Sequence, residues 1–212
     1  MKSKKQQRAA PPPVVPALGA NLGVIFDWQG TNVFTDLIKQ SRNGFGYAEY
    51  PTNYGFTSVI RKDTAGNPVE PFSMVVKDPL RSGDDGAYHL QFRGIADVSA
   101  RAPVSVSGRS FNAATGLTTA TVTVPPEATI LILTFTNLRE MPVSDVRLVP
   151  QAFAVNPPTF RPEWVEHFSR FQVLRFMNWM CWWEAQGEIS WEDRTKTTDW
   201  TQAKPNGVAP EY

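Results

Sequence analysis

Four acidic residues near the C-terminus are the first candidates for chemistry. Glu184, Glu188 and Glu192 are four residues apart, and Asp193 follows directly. On a helix the three glutamates would share one face, and paired carboxylates are the acid and the base or nucleophile of glycoside hydrolysis. However, Gly187 does not favour a helix here, and no neighbouring residue indicates a raised pKa. We therefore favour a solvated charged face and keep a catalytic pair as the weaker alternative.

Aromatic residues are the second set of candidates. Six of the seven tryptophans lie between Trp164 and Trp200, and tyrosines punctuate the turn-rich segment 42–56. Tryptophan and tyrosine stack on sugar rings and also anchor protein interfaces. The alternative is that these rings pack a core or plug the end of a sheet. The candidates for carbohydrate or partner contact are Trp179, Trp182, Trp183, Trp191, Tyr47, Tyr50 and Tyr54.

Residues that bind metals or activate nucleophiles are scarce. The chain has two histidines, His89 and His167, and one cysteine, Cys181. This set has no zinc-site spacing, and the sequence has no nucleophile elbow, phosphate-binding loop or dinucleotide fingerprint. The Asp-rich stretch 82–86 lacks the spaced oxygen ligands of a calcium loop and is typical of a turn. We expect no metal, no cofactor and no catalytic residue.

Composition restricts the partners. The chain has 212 residues, 42% of them hydrophobic, and a formal net charge of +1. This is enough apolar residue for a core, and the balanced charge argues against a specific nucleic-acid partner. No stretch approaches the roughly 18 apolar residues of a membrane-spanning helix. We expect no membrane insertion.

The first 17 residues form a separate segment by composition. Lys2, Lys4, Lys5 and Arg8 precede a proline-rich run at residues 11–16. Such a sequence favours an extended backbone and cannot bury a core. We interpret residues 1–17 as a basic arm that binds other subunits of an assembly, and a disordered tail is the alternative.

Residues 18–155 have the pattern of an antiparallel β fold. Alternation is clean in 119–124 and 88–93, which indicates strands with one solvated face. About seven short strands separated by Gly and Pro favour a β-sandwich of jelly-roll type. A first strand at 22–28 and a short helix at 31–41 precede them. The other predicted strands are 57–61, 72–76, 87–98, 104–107, 117–124, 130–136 and 143–149.

Residues 156–212 begin with a short helix and a strand. Pro162 suits a first helical turn, with Thr159 as its cap, and apolar residues recur at helical spacing up to Phe171. Residues 173–177 are predicted to be a buried strand, with Arg175 and Asn178 at its C-terminal end. We expect a carboxylate to hold Arg175, and the candidates are Asp27, Asp193 and Glu211.

These segments carry a resemblance. The run Leu174-Arg-Phe-Met-Asn-Trp, then Trp191-x-Asp-Arg194 and the closing residues 207–212, resembles the junction in a family of glycoside-hydrolase-like and cellulose-binding-domain-type proteins. The opening residues 18–42 are similar to the start of the same family, so the resemblance covers the chain from Leu18 onward. It implies a β-sandwich followed by the start of a (β/α)8 barrel.

Two differences from the family pattern argue against enzymatic activity. Asn178 stands where that family usually has Asp, and Cys181-Trp-Trp-Glu184 replaces a polar stretch. The chain also ends after the first strand of the implied barrel, so the catalytic acids of later strands are missing, and we expect no glycosidase activity.

Two functions follow as hypotheses. The first is a non-catalytic structural and anchoring protein of a virion, such as a phage tail fibre, spike or capsid-decoration protein, which folds in the host cytoplasm without an export signal. Its partners would be other protein subunits, with host glycans as further candidates. The alternative is the carbohydrate-binding N-terminal part of a glycoside hydrolase that is extracellular or on the cell surface.

Overall fold

A computed structural model describes residues 18–47, 56, 58–176, 179, 190–204 and 206–212. The described chain is mainly β, as predicted, and its centre is one antiparallel five-stranded sheet of order β2-β6-β3-β5-β4. These strands are β2 (Phe72–Lys77), β3 (Gly86–Ala100), β4 (Ser105–Asn112), β5 (Leu117–Val124) and β6 (Leu131–Pro150). No helix within the described ranges is long and apolar enough to cross a membrane.

Side-chain alternation explains the central strands. In β5 the residues Thr118, Ala120, Val122 and Val124 are buried, while their neighbours are partly or fully exposed. An antiparallel strand with one face on the core has this period of two. The predicted strand 117–124 and its antiparallel pairing are therefore confirmed.

Strand β6 differs from the prediction. The predicted strands 130–136 and 143–149 are parts of one strand, Leu131–Pro150, which pairs with β3 from Ala100↔Leu133 to Tyr88↔Pro150. Register shifts interrupt this pairing, and Asn137 and Asp145 both have a φ of 49°. Bulges of this kind absorb extra residues and bend a strand without ending it.

The main core lies on one face of this sheet. Phe72, Phe92 and Phe135 are each 0% exposed, and the rings of Phe72 and Phe135 stack with centroids 4.7 Å apart. A tail residue, Trp200, packs edge-on against Phe72 at 6.1 Å. The C-terminal tail therefore contributes to the core of the sheet.

The N-terminal segment is less regular than predicted. Residues 22–28 form no strand, and the predicted helix 31–41 is only a 3₁₀ helix at Leu37–Gln40. Residues 58–61 also form no strand, whereas the turn at 63–67 is present, with Asp63 N donating to Asn67 O at 2.9 Å. Some main-chain groups of this segment bond to side chains or to the C-terminal segment instead: Val33 N donates to Gln40 Oε1, and Leu22 N donates to Arg175 O.

The C-terminal segment contains α1 (Pro162–Phe168) and the strand β7 (Val173–Arg175). Pro162 is at the start of α1 as predicted, but the residue before it, Arg161, occupies the cap position instead of Thr159. Strand β7 pairs in parallel with β1 (Gly19–Asn21), from Gly19↔Val173 to Asn21↔Arg175. These two strands form a separate two-stranded sheet.

The predicted burial of this strand is wrong. All three residues of β7 are exposed, with Val173 at 55%. A second hydrophobic cluster lies below α1 instead and contains Leu22, Phe34, Trp164 and Trp179. Burial of an apolar strand depends on what packs over it, and the described part of the chain supplies no second layer there.

The predicted ion pair of Arg175 is also wrong. Asp27 pairs with Arg42 at 2.8 Å, and Glu211 pairs with Arg194 at 2.7 Å. Asp193 accepts from the Ser190 hydroxyl at 2.7 Å. Because Arg175 is at the surface, water can solvate its guanidinium, and no carboxylate partner is required.

Candidate functional site

The predicted site residues are only partly within the described ranges. Trp182, Trp183, Tyr50, Tyr54 and the arm residues Lys2, Lys4, Lys5 and Arg8 lie outside them, as do Glu184 and Glu188. Glu192 lies in a 3₁₀ helix at Trp191–Asp193. The predictions for the outside residues therefore stay predictions.

Three predicted contact residues can be placed. Trp179 is only 5% exposed and stacks on Trp164 with ring centroids 5.7 Å apart, so its ring packs in the second hydrophobic cluster. Trp191 is 64% exposed, and the Arg194 guanidinium lies 4.0 Å from its ring centroid. Tyr47 is exposed. Trp179 is thus a packing residue, whereas Trp191 and Tyr47 are accessible.

The structure also has an exposed apolar surface that we call the β1/β7 surface, made of Leu18, Val173, Leu174 and Phe176. Leu18 is 60% exposed and Phe176 is 50% exposed. The ladder beneath is closed by Leu22 N donating to Arg175 O at 2.8 Å and by Gln172 N donating to Leu18 O at 2.9 Å. The backbone is therefore hydrogen-bonded, while apolar side chains on both faces and at the ends of the ladder are exposed, since successive strand residues point to opposite faces.

A cavity of about 630 Å³ lies between the N-terminal segment, β6 and the C-terminal tail. We call it the Asp36 cavity. Its lining includes Asp36, residues 144–147 of β6, residues 197–200 and Tyr212. The three elements are far apart in sequence, so this cavity was not predicted, and no local motif could have indicated it.

Asp36 is fixed at one wall of the cavity. Its Oδ1 accepts from Ile38 N at 3.1 Å, which caps the 3₁₀ helix, and from Leu148 N of β6 at 3.0 Å. Among the described residues, no group donates to Oδ2. Burial raises the pKa of Asp36 to about 6, although the two backbone bonds and the charges of Lys39 and Arg147 oppose that rise.

Lys39 ties the tail to the same wall. Its Nζ donates to Thr197 O at 2.8 Å and to Asp199 O at 2.7 Å. Its backbone carbonyl accepts from Gln202 N at 2.7 Å. Burial lowers the pKa of Lys39, and the nearby Asp36 charge works against this. Hydrogen bonds to Lys39 therefore position the tail at the edge of the cavity.

Arg147 and Tyr212 complete the polar lining. Arg147 is exposed and pairs through its backbone with Gln91 of β3, and its guanidinium has no hydrogen bond or ion pair within the described ranges. The Tyr212 ring packs against Phe34 at 5.0 Å, and its hydroxyl has only a long contact of 3.5 Å to Thr197 O. Burial raises the pKa of Tyr212, Asp36 adds to this rise, and Arg147 opposes it. Asp36, Arg147 and Tyr212 therefore influence one another electrostatically.

A second polar cluster is buried and structural. Arg42 donates to Asp27 at 2.8 Å and to Asp78 at 3.0 Å, and Asp27 is 0% exposed. Next to it, Lys77 Nζ donates to Gln29 O and, at 3.0 Å, to Asn32 Oδ1. These bonds attach the N-terminal segment to the end of β2. Every charged group in this cluster has a partner, so its arrangement indicates positioning rather than ligand binding.

A second cavity, of about 660 Å³, lies between residues 22–33, residues 82–84 and α1. Asp84, which lines it, already accepts from Asn32 Nδ2 at 2.5 Å and from Arg81 N at 2.7 Å. Within the described part of the chain, no group of three or more His, Cys, Asp or Glu residues could hold a metal ion. The Asp84 carboxylate is therefore already hydrogen-bonded through both of its oxygens, whereas Asp36 is bonded through Oδ1.

The chain was compared with models of protein families, with curated proteins and with solved structures, and none of them matches it.

Proposed function

We propose that this chain is a non-catalytic structural protein that is anchored in a large protein assembly through the β1/β7 surface. The observation that carries the proposal is that all three residues of β7 are exposed, although Val173 and Leu174 are apolar. Sheets made only of parallel strands are nearly always covered on both faces. A partner subunit that packs on this surface would supply the missing cover.

The position of the arm supports the same surface. Residues 1–17 run directly into Leu18, which belongs to the β1/β7 surface. An arm that binds a neighbouring subunit would therefore bring the exposed ladder against that subunit. Basic side chains and a proline-rich backbone suit such an arm, because prolines reduce the entropy lost on docking. Arm and surface would form one continuous attachment region.

A virion is the assembly that we propose, with a tail-fibre, spike or capsid-decoration role. In this proposal the five-stranded sheet is one layer of a jelly-roll-like sandwich, and the β1/β7 pair is the start of a (β/α)8-type sheet. The parallel pairing supports the second point, since such barrels consist of parallel strands. The exposed apolar residues support it as well, because in such a barrel the packed interior and the outer helices cover the two faces of each strand.

The test is incorporation into particles. The full chain and the double variant Leu174→Glu/Phe176→Glu are expressed in the native host, and particles are separated by sedimentation. We expect the unchanged chain to sediment with the particles and the double variant to stay in the light fractions. The matched control is Val59→Glu, since Val59 is 92% exposed and lies outside the β1/β7 surface. Normal incorporation of the double variant would contradict the proposal.

Carbohydrate contact is a second candidate, favoured by Trp191. Its ring is 64% exposed, and Arg194 covers one side of it at 4.0 Å, which holds the ring in place for stacking on a sugar. Binding to insoluble polysaccharides should drop for Trp191→Ala and should persist for the control Phe111→Ala, an exposed aromatic on β4. Equal binding by both variants would remove this candidate.

A further inference from the structure

Three polar groups that line the Asp36 cavity have hydrogen-bonding capacity that the protein does not use. Asp36 Oδ1 accepts two backbone hydrogen bonds, at 3.1 and 3.0 Å, while Oδ2 accepts none from the described residues. The Arg147 guanidinium has five donors and bonds to nothing in those ranges. The Tyr212 hydroxyl has only the 3.5 Å contact to Thr197 O. An acceptor, a planar donor fork and a phenol therefore line one space.

We propose that the Asp36 cavity binds a neutral polyhydroxylated ligand of the size of one or two sugar rings. The planar guanidinium of Arg147 would donate two parallel bonds to vicinal hydroxyl oxygens. Asp36 Oδ2 would accept a hydrogen bond from a ligand hydroxyl, and the Tyr212 hydroxyl would donate or accept one. Hydroxyl groups both donate and accept, so they suit a mixed set of this kind.

The charges of the lining argue for a neutral ligand. Asp36, Asp145 and Asp199 are on the lining together with Lys39 and Arg147. A phosphate or carboxylate would be repelled by the three aspartates, and an amine would be repelled by the two cations. Three of these charges are already occupied, because Lys39 bonds to tail carbonyls, Asp199 pairs with Lys204 at 2.6 Å, and Asp145 pairs with Arg93 at 3.0 Å. The groups that stay available are one acid and one base.

The size and rigidity of the cavity fit this ligand. Its volume of about 630 Å³ lies within the range of roughly 300–1,000 Å³ that is usual for small-molecule sites. Asp36 is fixed by its two backbone bonds, and the Tyr212 ring is fixed against Phe34 at 5.0 Å. Groups held in place before binding lose less entropy when the ligand arrives.

This inference rests on the carbohydrate-contact candidate of the proposed function and assigns it a surface different from Trp191. The two fail separately, since Trp191→Ala tests one and Arg147 variants test the other. It is independent of the anchoring role.

The test uses the full chain and measures binding by calorimetry or by NMR shifts. The probes are cellobiose, maltose, lactose and N,N′-diacetylchitobiose, with sodium phosphate and putrescine as the charged comparisons. We expect at least one disaccharide to bind and both charged probes to fail. Arg147→Ala should weaken that binding about tenfold or more, since its hydrogen bonds are charge-assisted. Arg147→Lys should recover little, because an ammonium has no fork.

Two further variants keep the test decisive. Tyr212→Phe removes only the hydroxyl and should weaken binding while leaving the melting temperature nearly unchanged. Arg170→Ala is the matched control, because Arg170 is an exposed arginine outside the cavity whose contact to Glu166 is 3.7 Å long. Absence of binding by all four disaccharides, binding of phosphate or putrescine in their place, or unchanged affinity in Arg147→Ala would each overturn the proposal.

Discussion

The five-stranded sheet and the β1/β7 pair are both hydrogen-bonded sheets with apolar side chains, yet they differ in what covers them. Val122 in β5 is 0% exposed, whereas Val173 in β7 is 55% exposed. The main sheet is covered by its own core, by the 3₁₀ helix at Leu37–Gln40 and by Trp200. Among the described residues, the hydrophobic cluster next to the β1/β7 pair is the second one, which includes Leu22. The same residue type is thus a core residue in one sheet and a surface residue in the other.

The difference predicts that the residues that stabilise the fold are separate from those of the proposed attachment surface. Most of the free energy of folding should come from the main core, since burial of apolar area is the dominant favourable contribution. Exposed apolar residues of the β1/β7 surface contribute little to folding and remain available to a partner. Paired substitutions, one in each sheet, test this division.

The largest effect is expected for the aromatic core. Phe72→Ala should lower the free energy of unfolding by about 3–5 kcal/mol, because it leaves a cavity beside Phe135 and Trp200. Its counterpart Phe176→Ala, at a side chain that is 50% exposed, should change that energy by less than about 0.5 kcal/mol. Urea unfolding followed by fluorescence measures both. Similar losses for the two variants would mean that the β1/β7 surface is part of the folding core.

The next effect concerns two arginines. Arg42→Ala should cost about 3 kcal/mol of unfolding free energy, because it leaves the carboxylate of Asp27, 0% exposed, without its partner. Arg175→Ala should have little effect, since Arg175 is exposed at the end of β7. Thermal unfolding of the two variants side by side checks this contrast. If Arg175→Ala lost more unfolding free energy than Arg42→Ala, Arg175 would be buried, as the sequence analysis predicted.

The sequence predicted individual strands and helices better than it predicted their burial and their contacts with distant segments. The alternation in β5 and the first-turn Pro162 of α1 are local signals, and both were interpreted correctly. The burial of β7 and the carboxylate partner of Arg175 depend on packing between distant segments, and both predictions failed. The prediction of two separate strands in place of β6 failed for another reason, because Asn137, at the start of the gap between them, looks like a turn residue but occupies a bulge.

The candidate site was even harder to predict from the sequence. Asp36 and Leu148, which share a hydrogen bond at one wall of the Asp36 cavity, are 112 residues apart in the chain. Arg147 lies within the predicted strand 143–149, and no motif distinguishes it there. Nothing local marks either residue. What the sequence did supply was Trp191, whose exposure agrees with a contact role but does not test it.

A matched pair of isosteric substitutions gives a smaller effect. Val122→Thr places a hydroxyl in the main core and should cost about 1–3 kcal/mol, since a buried hydroxyl without a partner loses its bonds to water. Val173→Thr makes the same change on the β1/β7 surface and should stay within about 0.5 kcal/mol. Urea midpoints of both variants measure the difference. Equal costs would contradict the assignment of Val173 to the surface.

The smallest expected effect is a pH dependence of the unfolding free energy. It arises at Asp36, which joins the N-terminal segment to β6 of the main sheet. Its pKa is about 6 in the folded chain, against 3.8 ordinarily, because burial disfavours the charge. A raised pKa means that the folded state holds the proton more tightly. The stabilisation from neutral Asp36 is therefore complete below about pH 4 and is lost as the pH rises through about 6.

Asp36→Asn should remove this pH dependence. Asparagine keeps an acceptor for Ile38 N and Leu148 N but carries no charge, so the variant should be more stable than the parent by on the order of 1 kcal/mol near pH 7.5. Near pH 4 the two should be about equal in stability.

Asp63→Asn is the control of opposite sign. Hydrogen bonds to the Asp63 carboxylate, the strongest from Asn67 N, lower the pKa of Asp63 and favour its charged form. Its variant should be less stable than the parent near neutral pH, with a gap that shrinks in acid. Urea unfolding at both pH values measures all three chains, and an Asp36→Asn variant that loses stability near pH 7.5 would show that the charged carboxylate is the form the cavity wall requires.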